Sequence, residues 1–190
     1  MKKIALYLIP LGLFLGLIIF LYQGLFSNPR EHQSSLLEQP MPEFVLPDLM
    51  NIEQTYNEDV FLGKVTLLNV WGVWCITCAI ELPYLKQLQG EGKHIVGLYF
   101  DQDMDPDFGI KTVARVQQEV TDKLSQLGNP YAFNIFDVKR DLSMDLGVTG
   151  APETYLIDQQ GKIRLHHIGD INPRVWKNKF APVYDLLVAK

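Results

Sequence analysis

The stretch Val65-Thr-Leu-Leu-Asn-Val-Trp71 is almost continuously apolar, and it leads within a few residues to Trp74-Cys75-Ile76-Thr77-Cys78. A run of that kind is the pattern of a strand buried on both faces. Residues 76–90 then adopt helical spacing, with Ile80, Leu82, Leu85 and Leu88 on one broad side and Glu81, Lys86, Gln87 and Gln89 elsewhere. Ile95 to Phe100 is a second strand-like run, so the segment reads as a βαβ unit with a parallel pair. The chain's only two cysteines therefore fall where the first strand ends and the helix opens.

The remaining pattern extends this unit. Phe44 and Leu46, between Pro42 and Pro47, mark a short edge strand. A helical period from Ile110 to Leu127 stops at Gly128-Asn129-Pro130. Tyr155 to Asp158 and Ile163 to His167, joined by Gln159-Gln160-Gly161, read as an antiparallel hairpin. Asn172, before Pro173, is placed to cap a last helix over Arg174 to Val188. The order β, β, α, β, α, β, β, α predicts one α/β domain over 41–190, with a mixed central sheet and helices on both faces.

A cysteine at a helix N-terminus has its thiolate stabilised by free N–H groups and the positive end of the helix dipole. A second cysteine three residues on lies one turn away, close enough for a disulfide. Haem attachment would require His after Cys78, where Ala79 stands. Zinc would need two further ligands; His166 and His167 are neighbours on a strand and point to opposite faces, so no metal site is expected. A static structural disulfide remains open, but spacing and location together favour redox function. Asp101, Asp103 and Asp105 lack the glycine and final glutamate of a calcium loop and read as a solvated turn. A thiol peroxidase would carry Thr or Ser at position 72, which is Gly72. Trp71, Trp74, Tyr84 and Tyr99 read as core or groove-wall residues rather than a haem or peptide platform.

A hydrophobic content of 47% with 21% charged residues excludes a disordered chain. Those apolar residues are unevenly placed: Ile4 to Tyr22 contains no charge over nineteen residues. That length suffices for a helix to cross a bilayer core, and no small-x-small cleavage site follows it. Residues 1–22 are thus expected to be a cytoplasmic stub and uncleaved transmembrane anchor, with Lys2 and Lys3 keeping the N-terminus inside. Residues 23–40 read as a polar linker. Beyond the anchor stand 15 basic and 22 acidic residues, a net charge of −7 that offers nucleic acid no basic face.

Val70 to Cys78, with Pro83 five residues after the second cysteine, resembles the active-site segment of the thioredoxin superfamily. Gly63-Lys64-Val65, Leu67 to Trp71, Gly128 to Tyr131, Gly147 to Thr154, Gly169-Asp170 and Asn172 to Trp176 resemble, more narrowly, the DsbE/CcmG family. Those are membrane-anchored thiol:disulfide interchange proteins of cytochrome c maturation, and the likeness runs from about Pro42 to Trp176.

The resemblance implies a thioredoxin-like fold in which Cys75 is the exposed nucleophile and Cys78 the resolving thiol. Thioredoxin has a buried Asp where this chain has Asn69, so the proton acceptor must lie elsewhere; Glu81, on the face of Cys78 by the i, i+3 relation, holds the family's acidic position. Pro152 occupies the superfamily's cis-proline position, which would leave the Ala151 backbone free to pair with an extended substrate, and Glu153 would face the same groove as Trp74 and Ala151. Ile76 stands where the family commonly has Pro, which bears on reducing strength, and the stretch Gln102 to Leu127 is longer than expected. The resemblance implies an inner-membrane enzyme facing the periplasm. It would need no cofactor, would reduce the haem-binding cysteines of apocytochrome c or another disulfide-bearing polypeptide, and would draw electrons from a membrane thiol transporter. The alternatives are a non-catalytic apocytochrome- or haem-binding module with a structural disulfide, and a general periplasmic oxidant or isomerase.

Overall fold

The computed structural model describes residues 2–26, 36–100 and 109–189. Two compact units divide the chain, Met1–Gln33 and Ser34–Lys190. The first holds helix α1 (Lys2–Phe26), which runs on through Pro10. Its described side chains, residues 9–22, are uncharged and exposed. Among the described residues no helix is long and apolar enough to cross a membrane. A helix stands where one was expected.

In the second unit, β3 (Thr66–Trp71) is the central strand of a five-stranded sheet, and all six of its residues are buried. Parallel to it lies β4 (His94–Phe100), and parallel to that β5 (Asn134–Asp137). On the other side β6 (Glu153–Ile157) runs antiparallel to β3 and to β7 (Ile163–Ile168), completing the order β5-β4-β3-β6-β7. The expected βαβ unit, hairpin and mixed sheet are present. A separate antiparallel pair, β1 (Val45–Pro47) and β2 (Thr55–Asn57), precedes the sheet.

Period-two alternation sends β3 side chains to two cores. Leu67 and Trp71 meet α2 (Ile76–Gly90), α3 (Val113–Leu127) and the C-terminal helices, through Leu82, Leu85, Val116, Val120 and Phe180. Leu68 and Val70 meet Phe44, Phe61 and the short helix α4 (Asp141–Asp145) through Leu142. The buried stripe of α2 is Cys78, Glu81, Leu82, Leu85 and Leu88. This corrects two expectations: Ile80 is 69% exposed and Glu81 only 2%. At 100° per residue, position 81 lies between 85 and 88 on the helix wheel, while 80 is rotated well off their stripe.

Helix α3 starts at Val113 rather than Ile110 because Thr112 caps it, its hydroxyl accepting from the Arg115 N–H at 3.3 Å. The last helix is broken into α5 (Pro173–Val175), a π turn over Trp176–Phe180, and α6 (Ala181–Val188). Pro182, just beyond that turn, has no N–H for the regular ladder. Residues 36–40, expected as the end of a linker, are fastened to the domain: the Glu38 N–H donates to Ile163 O at 2.8 Å and the Ile163 N–H to Gln39 O at 2.9 Å. The calcium-loop candidate, Asp101 to Asp105, lies outside the described residues.

One close approach holds the sheet beside the site. Trp71 Nε1 donates to Asn134 Oδ1 at 2.9 Å, across Gly97 of the intervening strand. A Cβ on Gly97 would lie 2.0 Å from that Oδ1 and 2.8 Å from Trp71 Nε1. Gly97→Ala should therefore displace Asn134, break its bond to Trp71, and cost about 2 kcal/mol in a urea unfolding midpoint measurement.

Candidate active site

Cys75 is the N-cap of α2, in extended backbone at φ −83° and ψ 110°, at the carboxyl end of the central strand. Its N–H donates to Gly72 O at 3.1 Å, and its Sγ accepts from the Cys78 N–H at 3.0 Å. Sulfur thus takes the capping place that a serine or aspartate oxygen usually fills, which favours the thiolate when the bond is reduced. Cys75 and Cys78 form a disulfide. Cys75 is 4% exposed and Cys78 1%, so the nucleophile expected to be exposed is almost wholly buried in the disulfide form.

Its surroundings account for that burial. The Ala151–Pro152 peptide is cis, as the motif led one to expect, and Ala151 O lies 3.5 Å from Cys75 Sγ. Pro152 O is already engaged, accepting from the Gly169 N–H at 2.9 Å. Half-buried Trp74 is pinned by its Nε1 donating to Phe100 O at 3.2 Å, and it lies across Gly72, where a Cβ would come 2.4 Å from that nitrogen. Gly72 is thus required by the indole. Lys123 of α3 donates to Val73 O at 2.6 Å, tying the second half of the Gln102 to Leu127 stretch to the cysteine loop. Ile76 is 80% exposed beside Cys75.

Glu81 sits below the disulfide, one turn past Cys78. Its Oε1 accepts from Asn69 Nδ2 at 2.9 Å and its Oε2 from the Ile171 N–H at 2.8 Å. Burial drives its pKa up to about 7; the bonds from Ile171 and Asn69 oppose the rise, and the charge of Asp170 adds to it. A carboxyl poised near neutrality, on the helix face of the resolving cysteine, is suited to accept and return a proton. Asn69 also donates to Thr154 Oγ1 at 3.0 Å and accepts from the Tyr131 hydroxyl at 2.7 Å. Sequence reasoning passed over Tyr131 and Thr154 as site residues; position 69, where an acid was missed, was the signal that could have led to them.

Glu153 is not in that groove. Its neighbour Thr154 faces Asn69, so by strand alternation Glu153 points to the opposite side of the sheet, a correction to the expected placement. There Oε1 accepts from the Thr149 N–H at 2.8 Å, the Thr149 hydroxyl at 2.6 Å and the Gly150 N–H at 3.0 Å, while His166 Nε2 lies 2.8 Å from Oε2. Burial alone would raise its pKa, but the bonds from His166 and Thr149 outweigh it and hold the carboxyl below its usual range. Glu153 thus braces the segment that delivers Ala151 and Pro152 to Cys75. His166 stacks on Tyr155 at 4.2 Å and His167 meets Phe180 at 5.9 Å, on opposite faces as their adjacency required. Trp71 and Tyr99 are core residues, fully buried.

This fold and this cysteine pair define a thioredoxin-like thiol:disulfide oxidoreductase, and residues 37–185 match the Redoxin family. The chain is similar to a Thermus thermophilus thio-disulfide isomerase structure, with a TM-score of 0.56 and 20% identity over 80% of this chain and 96% of that one, a likeness of fold. It is 42% identical to the thiol:disulfide interchange protein DsbE of Escherichia coli K12, over 94% of this chain and 92% of that protein. Against the DsbE of Pseudomonas aeruginosa identity is 39%, over 98% and 96% of the two chains. The chain belongs to the DsbE family of thiol:disulfide interchange proteins.

An acid with a native pKa above its unfolded value binds its proton more tightly when folded, so stability falls as pH rises between the two values. For Glu81 the window runs from 4.5 to about 7. A shift of that size corresponds to about 3 kcal/mol. In Glu81→Gln, unfolding of the oxidised protein followed across this window should lose that pH-dependent decline.

Proposed function

We propose that this protein reduces disulfides of exported polypeptides, the haem-binding cysteines of apocytochrome c foremost, in the periplasm. The observation that carries the reading is a Cys-x-x-Cys pair at a helix start with a near-neutral carboxyl on the resolving cysteine's helix face. The family's name and this chain's likeness to it over nearly its whole length support thiol:disulfide interchange, and the direction and the substrate are those the DsbE/CcmG resemblance implies.

In the reaction Cys75 thiolate attacks one sulfur of the substrate disulfide; a mixed disulfide forms and the other substrate sulfur leaves as a thiolate that takes a proton. Glu81 takes the proton of Cys78, whose sulfur attacks Cys75 Sγ, closing the Cys75–Cys78 disulfide and releasing the second substrate thiolate. Two electrons pass from the protein dithiol to the substrate. A membrane thiol-transport protein returns them by the reverse exchange. Ala151, half-buried beside Cys75, would meet the incoming chain as a strand-like partner, with Trp74 and Pro152 walling the contact. Ile76, next to Cys75 in the chain, and Ile80, one turn on, are 80% and 69% exposed and give the start of α2 an apolar surface.

In the same reading α1 is a single-pass anchor in the bacterial inner membrane, followed by a tether and a periplasmic domain. Its side chains support this: Leu13, Phe14, Ile19 and Phe20 are each at least 57% exposed, apolar surface of the kind lipid covers.

Cys78→Ser should trap covalent complexes with exported thiol proteins, apocytochrome c among them, and Cys75→Ser should form none, as read on non-reducing gels of membrane fractions. A redox titration against glutathione should place the pair in the reductant range, roughly −200 to −270 mV; a value near about −120 mV would mark an oxidant, and a pair that cannot be reduced, a structural bridge.

A further inference from the structure

We propose that Tyr131 is a positioning residue for disulfide exchange: through Asn69 it fixes which amide atom faces the Glu81 carboxyl. The inference deepens the proton-acceptor role given above to Glu81 and rests on it.

While Glu81 is ionised, the contacts favour one arrangement of the amide. Tyr131 donates its hydroxyl proton to Asn69 Oδ1 at 2.7 Å, and an amide oxygen is the only atom of that group able to accept it. With Oδ1 so engaged, Nδ2 is turned to Glu81 Oε1 at 2.9 Å and Thr154 Oγ1 at 3.0 Å, one donor for each. If the amide turned over while Glu81 is ionised, its oxygen would face a carboxylate oxygen in a dry interior, and Glu81 Oε1 would lose its donor. The phenol has little freedom of its own: its ring stacks on Trp71 with centroids 5.0 Å apart at 27°, and Trp71 is bonded to Asn134.

The consequence reaches the chemistry because both Glu81 oxygens already accept, one from Asn69 and one from Ile171. A proton arriving from Cys78 must use a remaining lone pair, so the charged form is the one the network favours. The titratable or charged groups around Glu81 are Cys78 on its own helix, Tyr131 on the segment before β5, and Asp170 on the loop after β7; β3 and β6 contribute the neutral Asn69 and Thr154. Loss of the Tyr131 hydroxyl therefore frees the amide to turn and disfavours the carboxylate.

The test is a double-mutant cycle on the full-length, detergent-solubilised oxidised chain, with Glu81 titrated by side-chain carboxyl 13C NMR. Tyr131→Phe should raise the Glu81 midpoint by about one pH unit, the size of a lost hydrogen bond to a carboxylate. Asn69→Ala should raise it at least as much, and the double variant should match Asn69→Ala alone. In the reduced chains the acid limb of the exchange-rate profile should move up with Tyr131→Phe. An unmoved midpoint in Tyr131→Phe, or shifts that simply add, would overturn the inference. Should Tyr131→Phe not fold, the unaltered protein still decides: the Asn69 side-chain amide protons must shift with the Glu81 midpoint, and their silence would sink the proposal. An exchange profile unchanged in Glu81→Gln would instead remove the underlying role of Glu81, leaving the NMR cycle to judge the amide's orientation.

Discussion

A carboxyl group closed off from water must draw all its hydrogen bonds from the protein, and the arrangement around Glu81 follows from that demand. The Ile171 N–H reaches it from the loop after β7 and the Asn69 amide from the central strand, while its own helix presents it. Asn69 in turn engages Thr154 of β6 and Tyr131 of the segment before β5. Two stretches of chain bond Glu81 directly and two more reach it through Asn69, and the cysteine pair sits on the preceding turn of its helix. The fold's tolerance for this buried acid is bought by polar groups that could serve few other purposes in an apolar face.

What the pattern of residues revealed and what it hid have a common cause. Periodicity identified β3, β4, α2 and the hairpin because their burial is an average over many side chains. It missed β5, whose ends, Asn134 and Asp137, look like loop residues. They are buried because Asn134 receives the Trp71 N–H and Asp137 Oδ2 receives both donors of Ser143 at 2.7 Å. Glu81 was legible as a candidate from its spacing to Cys78, yet its depth was not, since its partners come from 12 and 90 residues away. Polar burial depends on individual distant partners, and no local period encodes them.

Adjacent residues of β6 show how one strand serves two tasks. Thr154 turns to the face that holds the redox pair and completes the amide network there. Glu153 turns to the other face and gathers three donors from Thr149 and Gly150, shaping the approach to Pro152 from behind. The acidic residue after the cis proline thus holds the backbone that leads to Ala151 and Pro152, and the strand's alternation places that support on the face away from the cysteine pair.

The slight exposure of Cys75, 4%, restricts how a partner's disulfide can come up to its sulfur. Exchange requires a nearly linear approach to sulfur, and here that line is bordered by Trp74, Ile76 and the Ala151 backbone. A rigid globule carrying its own buried disulfide has no way to bring the bond into such a crease, whereas an unfolded chain can lay an extended segment along it.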